Sequence, residues 1–414
     1  MRSKKFTNID PIKHHTSLNQ FKRWRQERIR KLRSKDYSYN VPMVQPDLSY
    51  IKQNEQSPTI TWIGHSTFFI QLAGLNIVTD PVWASQMALR KRMTAPGIAI
   101  DRVPPIDVVL ISHSHYDHLN IPSLRKLQGD KLLLVPAGLS AKLKGRGFTN
   151  VHELYWWESY TVGEVTFTFV PAQHWTRRNP WDTNSSHWGG WLIAPADKEQ
   201  TSQQSDNQHS DKQIKSNLVD GNEVDTDVDT VTDVDTDVVT DTDIDLDIDR
   251  DRDVNGKNSS VKKEQATISS ASLAGEVCTE MTASVSCFFE QHEAKRPELT
   301  EQPVIYFAGD SGYFAGFKEI GYRFDIDIAL LPIGAYEPEW FMGPQHITPE
   351  EALQAFLDTK AKHFVPMHYG SFKLADDTPR EALERLFNEM NRLVIDPASL
   401  ILLPHGETWR ITNE

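Results

Sequence analysis

Apolar positions gather into short runs from residue 59 onward, and their spacing predicts strands more often than helices. Residues 61–63, 68–72 and 75–78 read as a meander. Residues 108–112 (VVLIS) form a continuous apolar run, the pattern of a strand buried on both faces. Residues 165–169 (VTFTF) alternate as a half-buried strand does, and 188–193, 304–308, 328–331, 364–365 and 400–403 predict further strands. Residues 121–127 and 138–144 read as helices. Two later helices announce their starts, because Thr348-Pro-Glu-Glu351 and Thr378-Pro-Arg-Glu381 each place a capping threonine, a proline at the first helical position and a glutamate at the third. A β-rich first half followed by strand–helix units predicts an α/β chain folded as one αββα sandwich.

Two segments fall outside this pattern. Residues 17–35 (SLNQFKRWRQERIRKLRSK) form a basic helical stretch with Phe21, Trp24 and Ile29 as its main apolar positions. Such a helix suits anionic lipid, but packing on the domain with solvated arginines opposite is the favoured expectation. Residues 217–255 alternate aspartate with valine, threonine and isoleucine, leaving like charges with no compensating face. Disorder is expected there, since the tract buries too little apolar surface to offset its ordering entropy. A calcium loop would need a turn glycine and a bidentate glutamate at set positions, and this tract has neither there. The division follows: a basic extension with a helix over 1–56, a first part of the domain over 57–195, a low-complexity acidic insertion over 196–302, and the second part over 303–414.

Charge sharpens that division. The formal charge is −13, but residues 196–302 hold 26 acidic and 10 basic residues, leaving that stretch at −16 and the remainder at +3. The mildly basic part is the one suited to an anionic substrate or lipid surface. The two cysteines, Cys278 and Cys287, both fall in the acidic segment, which excludes a disulfide framework. Met1-Arg-Ser-Lys-Lys-Phe lacks the apolar run of a secretory signal, and no stretch approaches the ~18 apolar residues of a spanning helix. A cytoplasmic protein is expected, lying at most on the inner face of a membrane.

The most informative stretch, Ser112-His113-Ser-His115-Tyr-Asp117-His118, follows directly on the buried run. His113 and His115, two apart, can reach one ion from an extended loop, and Asp117 and His118 lie far enough on to serve a second. Histidine and carboxylate without thiolate suit zinc, with iron or manganese as alternatives. Further ligands are expected at other strand ends, where His174, Asp310 and His368 each follow an apolar run. One carboxylate has an oxygen for each of two ions, so Asp310 can bridge them.

His113-x-His115-x-Asp117-His118 with His174, Asp310 and His368 resembles the dinuclear signature of the metallo-β-lactamase fold. Trp62-Ile-Gly-His65, Thr79-Asp80-Pro81, Pro104-Pro105-Ile-Asp107, Gln173-His174-Trp175, Gly309-Asp310-Ser-Gly-Tyr313, Leu331-Pro-Ile-Gly-Ala-Tyr-Glu-Pro338, Trp340-Phe-Met342, Gln345-His346 and Met367-His368-Tyr-Gly370 are similar to the N-acyl-phosphatidylethanolamine-hydrolysing phospholipase D family. The resemblance covers about residues 59–194 and 304–368. It implies a four-layer αββα fold with two zinc ions, one on His113, His115 and His174, the other on Asp117, His118 and His368, with Asp310 bridging. The family usually carries a Gly-Pro-Lys-Arg-like stretch where this chain reads SQMALRKRMT over 85–94, so head-group contacts are expected to differ.

Two ions sharing a water make hydroxide available near neutral pH. The resemblance implies that this bridging hydroxide cleaves N-acyl-phosphatidylethanolamine to N-acylethanolamine and phosphatidic acid. Catalytic roles are expected for Asp117, for Asp80 in orienting the nucleophile or a ligand histidine, and for His346 as a donor or general acid. His65 is expected to support the site from a turn. Trp175, Trp181, Trp340, Phe341 and Met342 are candidates for an acyl groove, Arg177 and Arg178 for an anionic ligand, and Tyr116 and Gln345 for further substrate contacts. Alternatives are a lactone or another phosphodiester as substrate and, from a different class, an interaction protein that recruits partners through the acidic tract while its metal site is structural. A phospholipid or related phosphodiester, peripheral membrane contact and a homodimer are the partners considered; nucleic acid is not expected.

Overall fold

The computed structural model describes residues 5–10, 22–24, 26–28, 35–87, 90–196, 299 and 302–411. Most of the acidic insertion lies outside the described residues, and with it the expectation of disorder; so do Phe21 and Ile29 of the basic N-terminal stretch. Its described part, 22–24 and 26–28, is helical.

Strands β1 (Thr59–Gly64), β2 (Thr67–Leu72) and β3 (Leu75–Thr79) form the expected meander. They continue through β6 (Val108–Leu110), β7 (Leu132–Pro136) and β8 (Val151–Leu154), and β15 (Thr408–Arg410) closes the edge beside β1, giving a seven-stranded sheet. A short hairpin of β4 (Gln86–Met87) and β5 (Arg90–Lys91) stands apart. The second sheet holds six strands in the order β14 (His363–Met367), β13 (Ile328–Pro332), β12 (Ile305–Phe307), β11 (Gly190–Pro195), β10 (Val165–Val170) and β9 (Ser159–Val162).

Side-chain alternation explains the layers. Along the meander Trp62, Phe68 and Ile70 point into a core shared with Phe167, Phe169 and Trp191 of the second sheet. Their neighbours Ile63, Phe69 and Val78 point the other way, onto Ile51 of α1 (Leu48–Gln53), Leu124 of α2 (Ile121–Lys126) and Leu143 of α3 (Ser140–Lys144). The second sheet is covered in turn by α4 (Gly316–Arg323) and, after the short α5 (Glu339–Met342), by α6 (Pro349–Thr359) and α7 (Pro379–Leu393). This is an αββα sandwich. Thr348 and Thr378 cap α6 and α7 by accepting from the backbone N–H groups of Glu351 and Glu381.

Two strand expectations need correction. β10 is buried on both faces, because its threonines pair with the next strand: Thr166 with Thr161 at 3.0 Å and Thr168 with Ser159 at 2.9 Å. Residues 400–403 form a single bridge, Leu400 to Phe364, and no strand. Strands β1, β3, β6, β10, β12, β13 and β14 all end at one rim of the sandwich. The polar residues just beyond those ends share that rim.

Candidate metal centre

Every predicted ligand sits on the first few residues past a strand end, where the backbone leaves the sheet and side chains turn inward. His113, His115, Asp117 and His118 follow β6, His174 follows β10, Asp310 follows β12 and His368 follows β14. The structure brings all seven together. His113 Nε2 and His174 Nε2 lie 2.9 and 3.2 Å from His115 Nδ1, so three nitrogens face one point. His118, His368 and Asp117 form a second group, with Asp117 Oδ2 3.5 and 3.6 Å from the two Nε2 atoms. Asp310 lies between the groups. Its Oδ1 is 3.2 Å from His368 Nε2, and its Oδ2 is 3.1 Å from His118 Nε2, 3.9 Å from His174 Nε2 and 4.0 Å from His113 Nε2.

Groups behind the histidines fix which nitrogen is bare. Asp80, fully buried after β3, accepts from the Ser112 backbone N–H at 2.7 Å, from Ser112 Oγ at 2.5 Å and from His118 Nδ1 at 2.7 Å. With its hydrogen on Asp80, Ser112 Oγ accepts from His113 Nδ1 at 2.9 Å. The Gln345 carbonyl accepts from His174 Nδ1 at 3.0 Å. Three imidazoles thereby keep a proton on Nδ1 and turn Nε2 to the centre, where a bound cation would take its lone pair. Asp80 spends its carboxylate on these donors, so it positions a ligand and does not reach a substrate. His65 holds Asp117 from behind, Nε2 to Oδ2 at 3.1 Å. His65, Asp80 and His368 all adopt positive φ, at 56°, 31° and 63°, a strain that the surrounding contacts must sustain.

The electrostatics match a cation. Burial alone would push Asp310 up, but His118 and His368 hold it well below the usual carboxylate range. Burial likewise opposes charge on His118 and His368, yet Asp310 raises both, the latter to about 9. Burial keeps His113 and His174 well below an ordinary histidine and therefore neutral. Asp117, raised by burial but held down by His118, is ionised too, so two carboxylates require positive charge among them, and protons on imidazole supply what a bound cation would supply. The spacing fits as well: zinc–nitrogen bonds of about 2.0–2.1 Å in a tetrahedron place neighbouring ligand atoms roughly 3.3 Å apart, against the 2.9 and 3.2 Å of the first group.

Other predicted residues divide. His346 is buried with Nδ1 3.8 Å from Asp310 Oδ2, and burial lowers it to about 4, so it stands as a neutral imidazole at the rim of the centre. Trp175 meets the His115 ring edge-on at 4.9 Å and carries Arg177 over its own ring at 5.5 Å. Met342 lies next to this rim, its carbonyl accepting from His346 N–H at 3.0 Å. Trp340 and Phe341 are covered differently. Trp340 donates to Glu27 at 2.9 Å beneath Arg23, and Phe341 stacks on Trp24 at 5.9 Å, so the N-terminal helical segment packs on the aromatic pair expected to line a groove. Trp181 is 89% exposed. Tyr116 turns its hydroxyl to the Arg178 carbonyl at 2.8 Å, away from a substrate role. Arg178 itself donates to the carbonyls of Ser114 and Leu119, both at 2.8 Å, and so braces the ligand loop.

Sequence reasoning missed Asn8. Its side-chain oxygen accepts from the backbone N–H of His174 at 3.0 Å and from Trp188 Nε1 at 2.9 Å. Nothing local to residues 5–10 signals that contact. Ser112 was also missed, although its place between the buried strand and His113 was visible.

Residues 75–221 and 274–369 match a family model described as Beta-lactamase superfamily domain. N-acyl-phosphatidylethanolamine-hydrolyzing phospholipase D 1 of Caenorhabditis elegans is 24% identical over 376 residues, 85% of this chain and 76% of that protein. The mitochondrial N-acyl-phosphatidylethanolamine-hydrolyzing phospholipase D of Saccharomyces cerevisiae is 26% identical over 342 residues, 79% of this chain and 51% of that one, so the chain spans about half the yeast protein's length. Among solved structures, an isothiocyanate hydrolase from Delia radicum gut bacteria superposes with a TM-score of 0.51 at 15% identity, over 86% of this chain and 99% of that one, a likeness of fold.

Proposed function

The chain belongs to the beta-lactamase superfamily and is a metal-dependent hydrolase of the metallo-β-lactamase fold; from that premise we propose that it is a zinc-dependent phospholipase D that cleaves N-acyl-phosphatidylethanolamine to N-acylethanolamine and phosphatidic acid. The observation that carries the reading is the convergence of six nitrogen and carboxylate donors about a seventh, Asp310. The substrate class is supported by the names of the worm and yeast relatives and by the quoted motifs around the site.

His113, His115 and His174 would hold one ion, Asp117, His118 and His368 the other, and Asp310 both. When bound, such ions supply Lewis acidity and lower the pKa of a water they share. The chain's own residues do the rest. Asp80, Ser112 and Gln345 keep the imidazole lone pairs aimed at the centre, and His65 steadies Asp117. The reaction adds water oxygen to phosphorus and breaks the bond from phosphorus to the ethanolamine oxygen, which leaves with a proton. His346, neutral and at the rim, is placed to donate a hydrogen bond to a phosphoryl or leaving oxygen. Arg177 beside Trp175 would meet the anionic ester. Among the described residues no helix is long and apolar enough to cross a membrane; access to the bilayer lipid from its surface belongs to this proposal.

The test offers purified, zinc-loaded full-length protein N-acylated phosphatidylethanolamine, simple phosphodiesters and lactones, followed by product identification. Phosphatidic acid should appear, and His115→Ala and Asp310→Ala should abolish it. Lactone opening without phosphodiester cleavage would overturn the substrate class.

A further inference from the structure

Beyond the metal centre, an open surface depression of about 410 Å3 lies beside the β4–β5 hairpin. Tyr37, Asn40, Arg90, Lys91, Met93 and Lys373 line it, and among the described residues no carboxylate does. Three cations therefore face one space. Through Tyr37, Met93 and Lys373 it adjoins a narrower cavity whose wall includes His368.

The segments that carry these cations are fixed by backbone contacts, and Lys373 also by a ring. Arg90 and Lys91 form the second strand of the hairpin, registered against Met87 and Gln86. The hairpin is tied to the loop after β14, with Met93 N–H donating to the Ser371 carbonyl at 2.8 Å and Thr94 Oγ1 to the Gly370 carbonyl at 3.1 Å. Lys373, on that same loop, sits over the Tyr37 ring with Nζ 3.3 Å from its centre. The fold thus brings the lysine charges of two segments to one space, where a bound anion would be attracted to both. Burial first, then Arg90 and Arg28, lower the Lys373 pKa below that of an ordinary lysine, against a smaller opposing pull from Asp376.

We propose that this basic depression is a binding site for a phosphate-bearing anion, separate from the metal centre. Lys91 and Lys373 supply the charge-assisted hydrogen bonds, with Asn40 as a neutral donor at the wall. The phosphate comes either free in solution or on a lipid headgroup, and the site stands whichever ester the metal centre cleaves.

The experiment uses zinc-loaded full-length protein in two arms. One titrates inorganic phosphate calorimetrically; the other measures co-sedimentation with phosphatidylcholine vesicles with and without phosphatidic acid. Lys91→Gln with Lys373→Gln should weaken binding about tenfold or more, the effect of losing charge-assisted bonds, while Lys91→Arg with Lys373→Arg restores it. Zinc content and turnover of a soluble phosphodiester should stay unchanged in both variants, which separates this site from the metal centre. A loss in the phosphate arm identifies a free-phosphate site, and a loss in the vesicle arm alone identifies a headgroup site. If the glutamine variant matches wild type in both arms, or the arginine variant behaves like the glutamine variant, the proposal is overturned.

Discussion

The side chain of Asn8 holds the backbone of His174, 166 positions further along the chain, through a 3.0 Å hydrogen bond. The same oxygen accepts from Trp188 Nε1, and Phe6 N–H donates to the Asn184 carbonyl at 2.9 Å, so the N-terminal strap is fastened at both ends of the His174 loop. A metal ligand whose backbone is held this way keeps its ring in place before an ion arrives. Asn8→Ala should therefore weaken zinc affinity about tenfold, at the low end of what outer contacts to metal sites contribute, whereas Asn8→Asp, which still accepts, should hold it closer to wild type. Competition with a chromophoric chelator measures this; equal affinity in Asn8→Ala and wild type would rule it out.

Asp80 makes a sharper case, because one carboxylate sets two imidazoles. Its Oδ2 receives both Ser112 Oγ and His118 Nδ1, while Oδ1 receives the Ser112 backbone N–H. An amide has one oxygen for these three donors, and its NH2 group would confront the rest. Asp80→Asn should free His118 to place its proton on Nε2, facing the ion, and loosen His113 through Ser112. Zinc affinity is expected to fall roughly 10–100-fold, with activity partly recovered in excess zinc. Loss of activity at full zinc occupancy would instead give Asp80 a role beyond positioning.

What was legible in the sequence is local. A ligand that follows an apolar run is placed by its strand, so His113, His174, Asp310 and His368 could be read one by one, and their shared rim follows from strand direction. Contacts across the chain left no such trace. Arg177 and Arg178 are adjacent and chemically identical, yet one lies over Trp175 and the other braces the carbonyls of Ser114 and Leu119. Trp340 and Phe341 read as a lipid groove because nothing in their neighbourhood announces that Trp24 and Glu27 land on them. The β10 threonines mislead similarly: their alternation is real, but hydroxyl pairing with β9 buries the polar face.

Gly309, just before the Asp310 position, is constrained by space as well as by backbone. Its φ is +63°, and a Cβ there would lie 2.6 Å from Ser112 Cβ and 3.0 Å from the Gly189 carbonyl oxygen. Ser112 cannot retreat without releasing Asp80 and His113. Gly309→Ala should cost about 2–4 kcal/mol of stability, combining left-handed strain with overpacking, and should lower zinc affinity through the displaced serine. Urea unfolding of the zinc-free protein isolates the first effect. A change below about 1 kcal/mol would mean that the packing yields more readily than in close-packed interiors.

A histidine remote from the metal centre should contribute a separable part of the acid response. His405 is buried edge-on to Trp62 at 4.4 Å, and its Nδ1 donates to the Ala95 carbonyl at 3.1 Å. Burial, with Arg92 adding to it, lowers its pKa to about 3, against about 6.5 in the unfolded chain. Between those values the unfolded state binds the extra proton. The stability this group contributes is therefore complete above pH ~6.5 and is lost as the pH falls towards 3, with a slope approaching 1.4 kcal/mol per pH unit. His405→Asn keeps a donor for Ala95 but cannot titrate. Unfolding free energies of the zinc-free proteins at pH 7.0, 6.0 and 5.0 (about two units across the window) should show wild type losing stability faster than the variant. Parallel profiles would mean that His405 takes up its proton in the folded state without penalty, against the burial that surrounds it.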